Sequence, residues 1–345
     1  MDIMHYVGLD IHKKTISFCL KLVDGTIVRE GVLNATRQAL DQWVETLPRP
    51  WMGAMEATIF TSWVYDHLKP HARALKVAHP LMLRAIADAK RKNDRIDARQ
   101  IANLLRVDLL PECYMAPLEI RELRRELRYR NLLVRQRTQT KNKVSGLLME
   151  TGIEYNKQKL HQKRYFSELL RRQGAEKLPA SLTPLLELSR TMLDGLGKME
   201  RQLLQGLERD PLLAERVQRL MSIPGVGPVT AITWALEIGE VERFRGSKQA
   251  VSYCGLCGNE DSSAGKQKRT PLSKQRNHHL QSVLIEAAKL APRYHAALAV
   301  VYEQEKKKGN CNRATLAVAR KLVAYLLAVD RRKTGFLPAA VAAVA

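Results

Sequence analysis

The sequence predicts an α/β domain at the N-terminus followed by a long, mainly helical remainder. Three observations carry this reading. Short β-branched or apolar runs, broken by turn residues, crowd the first third of the chain. Residues 117 to 210 have almost no strand pattern. With 345 residues, 45% of them hydrophobic, the chain is long enough for two or three ordinary cores.

The segments follow in order. "HYVGLDI", "TISFCLKL" and "TIVREGVL" read as strands, broken by Asp24-Gly25 and similar turns. Ala39 to Leu47 reads as a helix, "WMGAMEA" as a buried strand and "ALKVAHP" as another. Helices between such strands suit an α/β sheet. A helix is then expected from about Pro80 through "KRKNDRIDARQIANLLRV", ending before Pro111. These segments make a first domain of residues 1–110.

Residues 111–210 make the second. Leu118, Ile120, Leu123, Leu127, Leu132, Leu133 and Val134 form an imperfect helical stripe, so long helices are expected, as a hairpin or coiled coil. Between Arg121 and Lys143 lie nine basic residues and two acids, too lopsided for simple pairing along the helix. Arg124, Arg125 and Arg128 in this run are candidate nucleic-acid contacts. "GAEKLPASLTP" (174–184) reads as a loop between helices. The third domain, 211–345, opens with "LMSIPGVGPVTAITWALEIG", a helix-hairpin-helix pattern whose glycines permit a tight turn before a helix N-terminus able to hold phosphate. Further helices are expected around Leu280–Leu290 and Arg313–Leu327.

Charge narrows the partner. The net charge is +22, of which +4 falls in residues 1–110, +7 in 111–210 and +11 in 211–345. That excess points to a polyanion. No helix pairs a basic face with a broad aromatic face, so nucleic acid is favoured over a membrane surface. No apolar run is long enough to span a bilayer, and the N-terminus lacks the pattern of a secretory signal. Five scattered cysteines suit a reducing, cytoplasmic setting. Cys254 and Cys257 form a lone pair of the CxxC type, and His278 and His279 are adjacent rather than spaced for zinc. Trp51 and Trp63 flank the strand of Glu56 and read as core residues.

Four carboxylates form the candidate metal site. Asp10 ends the first strand and Glu56 ends another, while Asp94 and Asp97, three apart, share one helical face. Clustered carboxylates repel one another unless protonated or metal-bound. An all-oxygen set suits Mg²⁺, and two such ions about 4 Å apart can act on both sides of a phosphorus centre. A purely structural reading pairs Asp94 and Asp97 with Arg91, Arg95 or Arg99.

These residues carry a resemblance. Asp10 in "GLDIHKKT", Glu56 in "MEAT", and Asp94 and Asp97 in "KNDRIDARQIA" resemble the D-E-D-D set of a family of insertion-sequence transposases, to which pilin-gene invertases look related. "IPGVGPVTA", "FRGSKQAVSYCGL" and "LSKQRNHHL" resemble the C-terminal transposase domain of that family. The resemblance implies a RuvC-like (ribonuclease H-like) N-terminal domain, a helical coiled-coil middle and a mainly helical C-terminal domain bearing a nucleophilic serine. It also implies an enzyme that recombines donor and target DNA under the guidance of a structured bridge RNA, as a homodimer or tetramer with composite sites, in the bacterial cytoplasm at the nucleoid. In the family pattern the serine lies fourteen positions before the asparagine that matches Asn277, which selects Ser263 over Ser262 in "NEDSSAGKQKR". Lys266, Lys268, Arg269 and Lys274 would then hold the DNA backbone beside it. The chain departs from the pattern at Ala264 and Arg276, where the family usually has glycine. Two other readings remain at this stage, a metal-dependent junction nuclease and a non-catalytic protein that bridges nucleic-acid strands.

Overall fold

The structure is a computed structural model that describes residues 3–86, 94–172, 178–263 and 266–337, with the backbone alone for 84–86, 259–263 and 266–270. The chain divides into two compact units, Met1–Leu118 and Glu119–Ala345.

In the first unit, strands β1 (His5–Ile11), β2 (Thr15–Lys21), β3 (Ile27–Asn34), β4 (Trp51–Glu56) and β5 (Ala74–Ala78) form one sheet in the order β3-β2-β1-β4-β5. β1, β2 and β3 are antiparallel neighbours, whereas β4 runs parallel to β1 and β5 parallel to β4. Parallel neighbours need crossovers, and helices α1 (Arg37–Glu45) and α2 (Thr61–Leu68) lie on them. Thr36 caps α1 by accepting from the amide of Ala39. Alternation along β1 sends Val7, Leu9 and Ile11 into a core with Trp43, Val44, Trp51 and Leu68. This mixed sheet is compatible with the RuvC-like architecture.

The other sheet face is covered by α4 (Asp94–Arg106). One helix was expected from Pro80 onward; the described residues form α3 (Pro80–Ile86) and α4, and residues 87–93 lie outside the description. α4 comes down on Gly8 of β1 and Cys19 of β2 with two small residues, Ala98 and Ala102. Three polar fastenings hold it: Arg99 forks onto Glu30 of β3 at 2.6 and 2.7 Å, Lys21 donates to Asn103 at 2.7 Å, and Arg106 donates to the carbonyl of Val23 at 2.9 Å.

The second unit is mostly helical. α5 (Leu118–Glu150), α6 (Lys163–Leu170) and α7 (Leu182–Arg209) occupy the stretch without strand pattern. α5 and α7 run antiparallel: Leu127 shares a core with Leu207, Glu200 accepts from Arg130 and Arg137, and Val144 and Leu148 cluster with Leu182 and Leu186. Of the expected loop, residues 174–177 lie outside the description, and Pro184 sits in the first turn of α7, where a missing amide costs nothing.

Helices α8 (Ala214–Met221) and α9 (Pro228–Ile238) flank the expected tight turn. Gly225 there has φ +86° and presses on Ala291, so a side chain at that position would meet both strain and a clash. α10 (Ser247–Tyr253), α11 (His278–Leu290), α12 (Ala296–Lys307) and α13 (Cys311–Arg332) complete the unit, whose core includes Trp234, Leu236, Leu284, Leu322 and Leu326. Inside it Asp330 accepts from Arg216 at 2.6 and 2.8 Å and from the indole of Trp234 at 2.9 Å.

The segment read as a serine loop is a hairpin, β6 (Gly258–Ser263) with β7 (Lys266–Leu272). Its register sets Asp261 opposite Lys268, Ser262 opposite Gln267 and Ser263 opposite Lys266. Backbone pairing overrides a composition rich in Asn, Ser and Gly. No described helix is long and apolar enough to cross a membrane.

Candidate active site

The sheet sets the first two acids at neighbouring strand ends. β1 and β4 are parallel and in register up to Leu9 opposite Met55, so Asp10 and Glu56 follow at adjacent strand ends. Asp10 shares with Gly8 the face covered by α4. The seat of α4 against Gly8 then brings the first turn of that helix, carrying Asp94 and Asp97, toward Asp10.

A fifth residue joins them. Ligand atoms of Asp10, His12 and Asp94 all lie within 4.8 Å of one another. The Nε2 of His12 is 3.2 Å from Oδ2 of Asp10 and 3.4 Å from Oδ1 of Asp94. His12 was not among the residues singled out from sequence. In "LDIHKK" it reads as a polar residue of a turn. The signal available was its place two residues after a strand-end acid. Arg99, one of the expected partners of Asp94 and Asp97, is committed to Glu30 instead.

Asp10 is buried, with Asp94 and half-buried Asp97 beside it. Burial pushes its carboxyl up, His12 pulls it down, and the negative charges of Asp94 and Asp97 push it up again; the net effect is a rise above its ordinary value. A buried carboxylate short of positive charge, ringed by oxygen donors and one imidazole, fits a hard divalent cation such as Mg²⁺.

The same imbalance predicts a stability effect. The folded protein holds the Asp10 proton more tightly than the unfolded chain does. Stability therefore declines as pH rises from the ordinary carboxylate range through the raised value. At neutral pH without divalent metal, Asp10→Asn should raise the thermal midpoint by a few degrees. Mg²⁺ should stabilise the wild type and leave the variant unmoved. Calorimetry with and without Mg²⁺ checks both, and a lowered midpoint in the metal-free variant would contradict the charge imbalance.

Two family models match the chain. One, a DEDD transposase of the IS110 type, covers residues 7–153 and so takes in Asp10, Glu56, Asp94 and Asp97. The other, described as transposase IS116/IS110/IS902 family, covers residues 217–303, including the β6–β7 hairpin.

The chain carries DEDD transposase domains of the IS110 family.

Relatives agree. A probable family 20 transposase of Pseudomonas aeruginosa is 26% identical, over 96% of this chain and 98% of its own length. The transposase for insertion sequence element IS1328 of Yersinia enterocolitica is 25% identical, over 82% and 83%. A pilin gene-inverting protein of Moraxella bovis is 27% identical over 41% of this chain and 45% of its own length. Such domains imply an enzyme that cuts and rejoins DNA.

In this transposase the remaining candidate residues fall into two groups. Ser263 ends β6, and Lys266, Lys268 and Arg269 lie on β7; their side chains and that of Ser262 are outside the description. Lys274 is exposed just beyond β7. The arginines of α5 divide. Arg124 donates from Nε to the carbonyl of Leu236 at 2.5 Å, and Arg128 donates to the Glu237 carboxylate at 3.0 and 3.1 Å. Arg124 is half-buried, whereas Arg128 pairs with Glu237 from an exposed position and Arg125 is exposed.

Glu237 was also missed from sequence, because it sits in an otherwise apolar helix. It is buried, accepts from Asn277 at 2.8 Å as well as from Arg128, and its backbone carbonyl accepts from the hydroxyl of Tyr253 at 3.2 Å. Burial pushes its carboxyl up, but Arg128 and Asn277 outweigh burial and leave it below its ordinary value. Neighbouring His279 is pushed down to about 4, chiefly by burial. Asn277 in turn caps α11, accepting from the amides of His279 and Leu280. Arg276, where the family usually has glycine, donates to the carbonyl of Ser273 at 2.9 Å. Cys254 is fully buried and its thiol is pushed far up. Trp51 is fully buried and Trp63 packs partly against the same core.

Proposed function

We propose that this transposase breaks and rejoins DNA strands through Ser263, assisted by a Mg²⁺ site of Asp10, Glu56, Asp94 and Asp97. The observation that carries the reading is the cluster of Asp94 and His12 on buried Asp10, with the charge of Asp97 acting on it and Glu56 at the neighbouring strand end. The match to a DEDD transposase domain supports assigning that cluster to catalysis.

The protein's own groups have distinct roles. The parallel strands fix Asp10 and Glu56, α4 fixes Asp94 and Asp97, and His12 orients the carboxylate of Asp10. Bound Mg²⁺ would supply positive charge to a phosphate at the moment its own negative charge grows. Ser263 Oγ attacks phosphorus; the Oγ–P bond forms, the P–O3′ bond breaks, and the proton lost from Oγ is balanced by one gained at O3′. The phosphoserine ester keeps the bond energy that hydrolysis would discard, so a 3′-hydroxyl of another strand can reverse the step. Lys266, Lys268, Arg269 and Lys274 hold the backbone beside the serine, with Arg125 as a more distant phosphate contact. In α5, Arg124 and Arg128 are anchored through Leu236 and Glu237, and exposed Arg128 can still meet phosphate as Arg125 does. The middle helices serve as a coiled coil between the two ends of the chain, and the α8–α9 turn as a helix-hairpin-helix contact. A structured bridge RNA pairs with donor and target DNA, and a homodimer or tetramer supplies the paired cuts.

The test is the covalent intermediate. With labelled DNA and Mg²⁺, the wild type should give a slowly migrating species on denaturing gels, and Ser263→Ala should give none. Asp10→Ala should lose both cleavage and adduct while retaining nucleic-acid binding. Adduct that persists in Ser263→Ala and vanishes in Ser262→Ala would move the nucleophile by one residue. Efficient cleavage with no adduct at all would replace the serine mechanism with that of a metal-dependent nuclease.

A further inference from the structure

The second unit contains a groove of about 980 Å³ between α10, α12 and α13, none of which carries the acid cluster. Its floor is aliphatic, with Val251, Val301 and Leu327 among its residues. Its rim is not: Arg245, Lys248, Arg320, Lys321, Arg331 and Arg332 all line it, and no acid stands among the described lining residues. Six like charges crowded around an apolar trough repel one another, and a bound polyanion relieves that repulsion. Two are held in place by the backbone, Arg320 donating to the carbonyl of Leu256 and Arg331 to that of Phe244. Their positions are therefore prepared before any ligand arrives.

We propose that this groove is a track for an unpaired DNA strand, with phosphates on the basic rim and bases against the aliphatic floor and the guanidinium planes. Charge complementarity names a polyanion, and the apolar floor requires one that exposes flat apolar faces, as an unstacked strand does and a duplex does not. Among the described lining residues the only hydroxyl is that of Ser247, which leaves little to bond a ribose 2′-hydroxyl and so favours DNA over RNA. The place of the groove fits this occupant. Cys257 lines it and immediately precedes β6, while Arg320 fastens Leu256, so the groove meets the base of the hairpin that carries Ser263. Six residues of strand span about 20 Å, which several nucleotides of extended DNA can follow. The direction of the track rests on Ser263 as nucleophile; the binding itself does not.

Cys257 gives a local readout on the full-length protein. Its thiol is half-buried in the groove, and peptide mass spectrometry separates it from the other cysteines. A saturating single-stranded oligothymidylate should slow alkylation of Cys257 by iodoacetamide several-fold. A duplex and an oligouridylate of equal length should protect it less. Arg245→Glu combined with Lys248→Glu should abolish the protection and lower the log–log salt slope of single-strand binding by about 1.4, the change for two lost phosphate contacts. Both residues are exposed, and an unchanged thermal midpoint shows that the double variant folds. Ser263→Ala should leave the protection intact, so loss of the adduct and loss of the track are separate results. Unchanged alkylation at saturating DNA would overturn the proposal. So would equal protection by RNA, or a double variant that loses self-association and keeps its affinity for single-stranded DNA.

Discussion

Gly8→Ala should abolish strand cleavage while sparing nucleic-acid affinity. A methyl group at Gly8 would lie closer than 3.0 Å to the backbone carbonyl of Ala98 and the backbone amide of Ala102. Neither atom can swing aside, because both belong to α4 itself. The helix must lift from the sheet, and Asp94 and Asp97 must lift with it. Overpacking of this kind costs about 1–3 kcal/mol of stability. The effect on chemistry should be larger, since misplacement by about 1 Å can cost about 100-fold in rate. Gly31→Ala is the control. It sits in β3 of the same sheet, and its new methyl would meet the edge of the Phe18 ring at 3.1 Å, a side chain able to turn. Cleavage rates and melting curves of the two variants give the comparison. Near-wild-type cleavage in Gly8→Ala would mean that the close seat of α4 does not position the acids.

Asp330→Ala should be the most destabilising single change in the second unit. Asp330 is buried and answers three donors, two from Arg216 and one from Trp234. The indole of Trp234 is fully buried and the Arg216 side chain is 20% exposed, so neither donor regains full hydration when the carboxylate is lost. Removal of one partner from such a buried pair costs about 3–5 kcal/mol. Glu237→Ala should cost less, although Glu237 is equally buried, because its Arg128 partner is 51% exposed and can return to water. Denaturant melts of the two variants should rank them in that order. The reverse order would show that the Asn277 contact of the Glu237 carboxylate matters more than the ion pairs.

The sheet was legible because alternation in "HYVGLDI" and "TISFCLKL" and the buried run "WMGAMEA" are strong local signals, and the five expected strand segments correspond to β1 to β5. Asp10 and Glu56 were legible as strand-end acids for the same reason. Other features depended on partners distant in sequence. His12 meets Asp10 locally, but its contact with Asp94 exists because α4 delivers that residue to it. Arg124 and Arg128 sit in a basic run whose composition suggests phosphate, yet their hydrogen bonds go to residues more than 100 positions away. Glu237 could not be distinguished from a stray surface acid until Arg128 and Asn277 closed around it. The hairpin defeated local propensity outright, since neither "GNEDSS" nor "KQKRTPL" has the β-branched or apolar content of an ordinary strand.

The first turns of α5 set where the protein can be cut. Leu123 and Leu127 belong to the same core as Trp234, Leu284 and Leu322, whereas the family match that begins at residue 7 runs on to residue 153. A fragment expressed to that sequence boundary would carry α5 without the core that covers those leucines, inviting aggregation or misleading self-association. A fragment ended at Leu118 follows the compact unit and leaves α5 with the helices it packs against. Dissection of the two chemistries into separately purified pieces should therefore follow the packing of one helix rather than the limits of similarity.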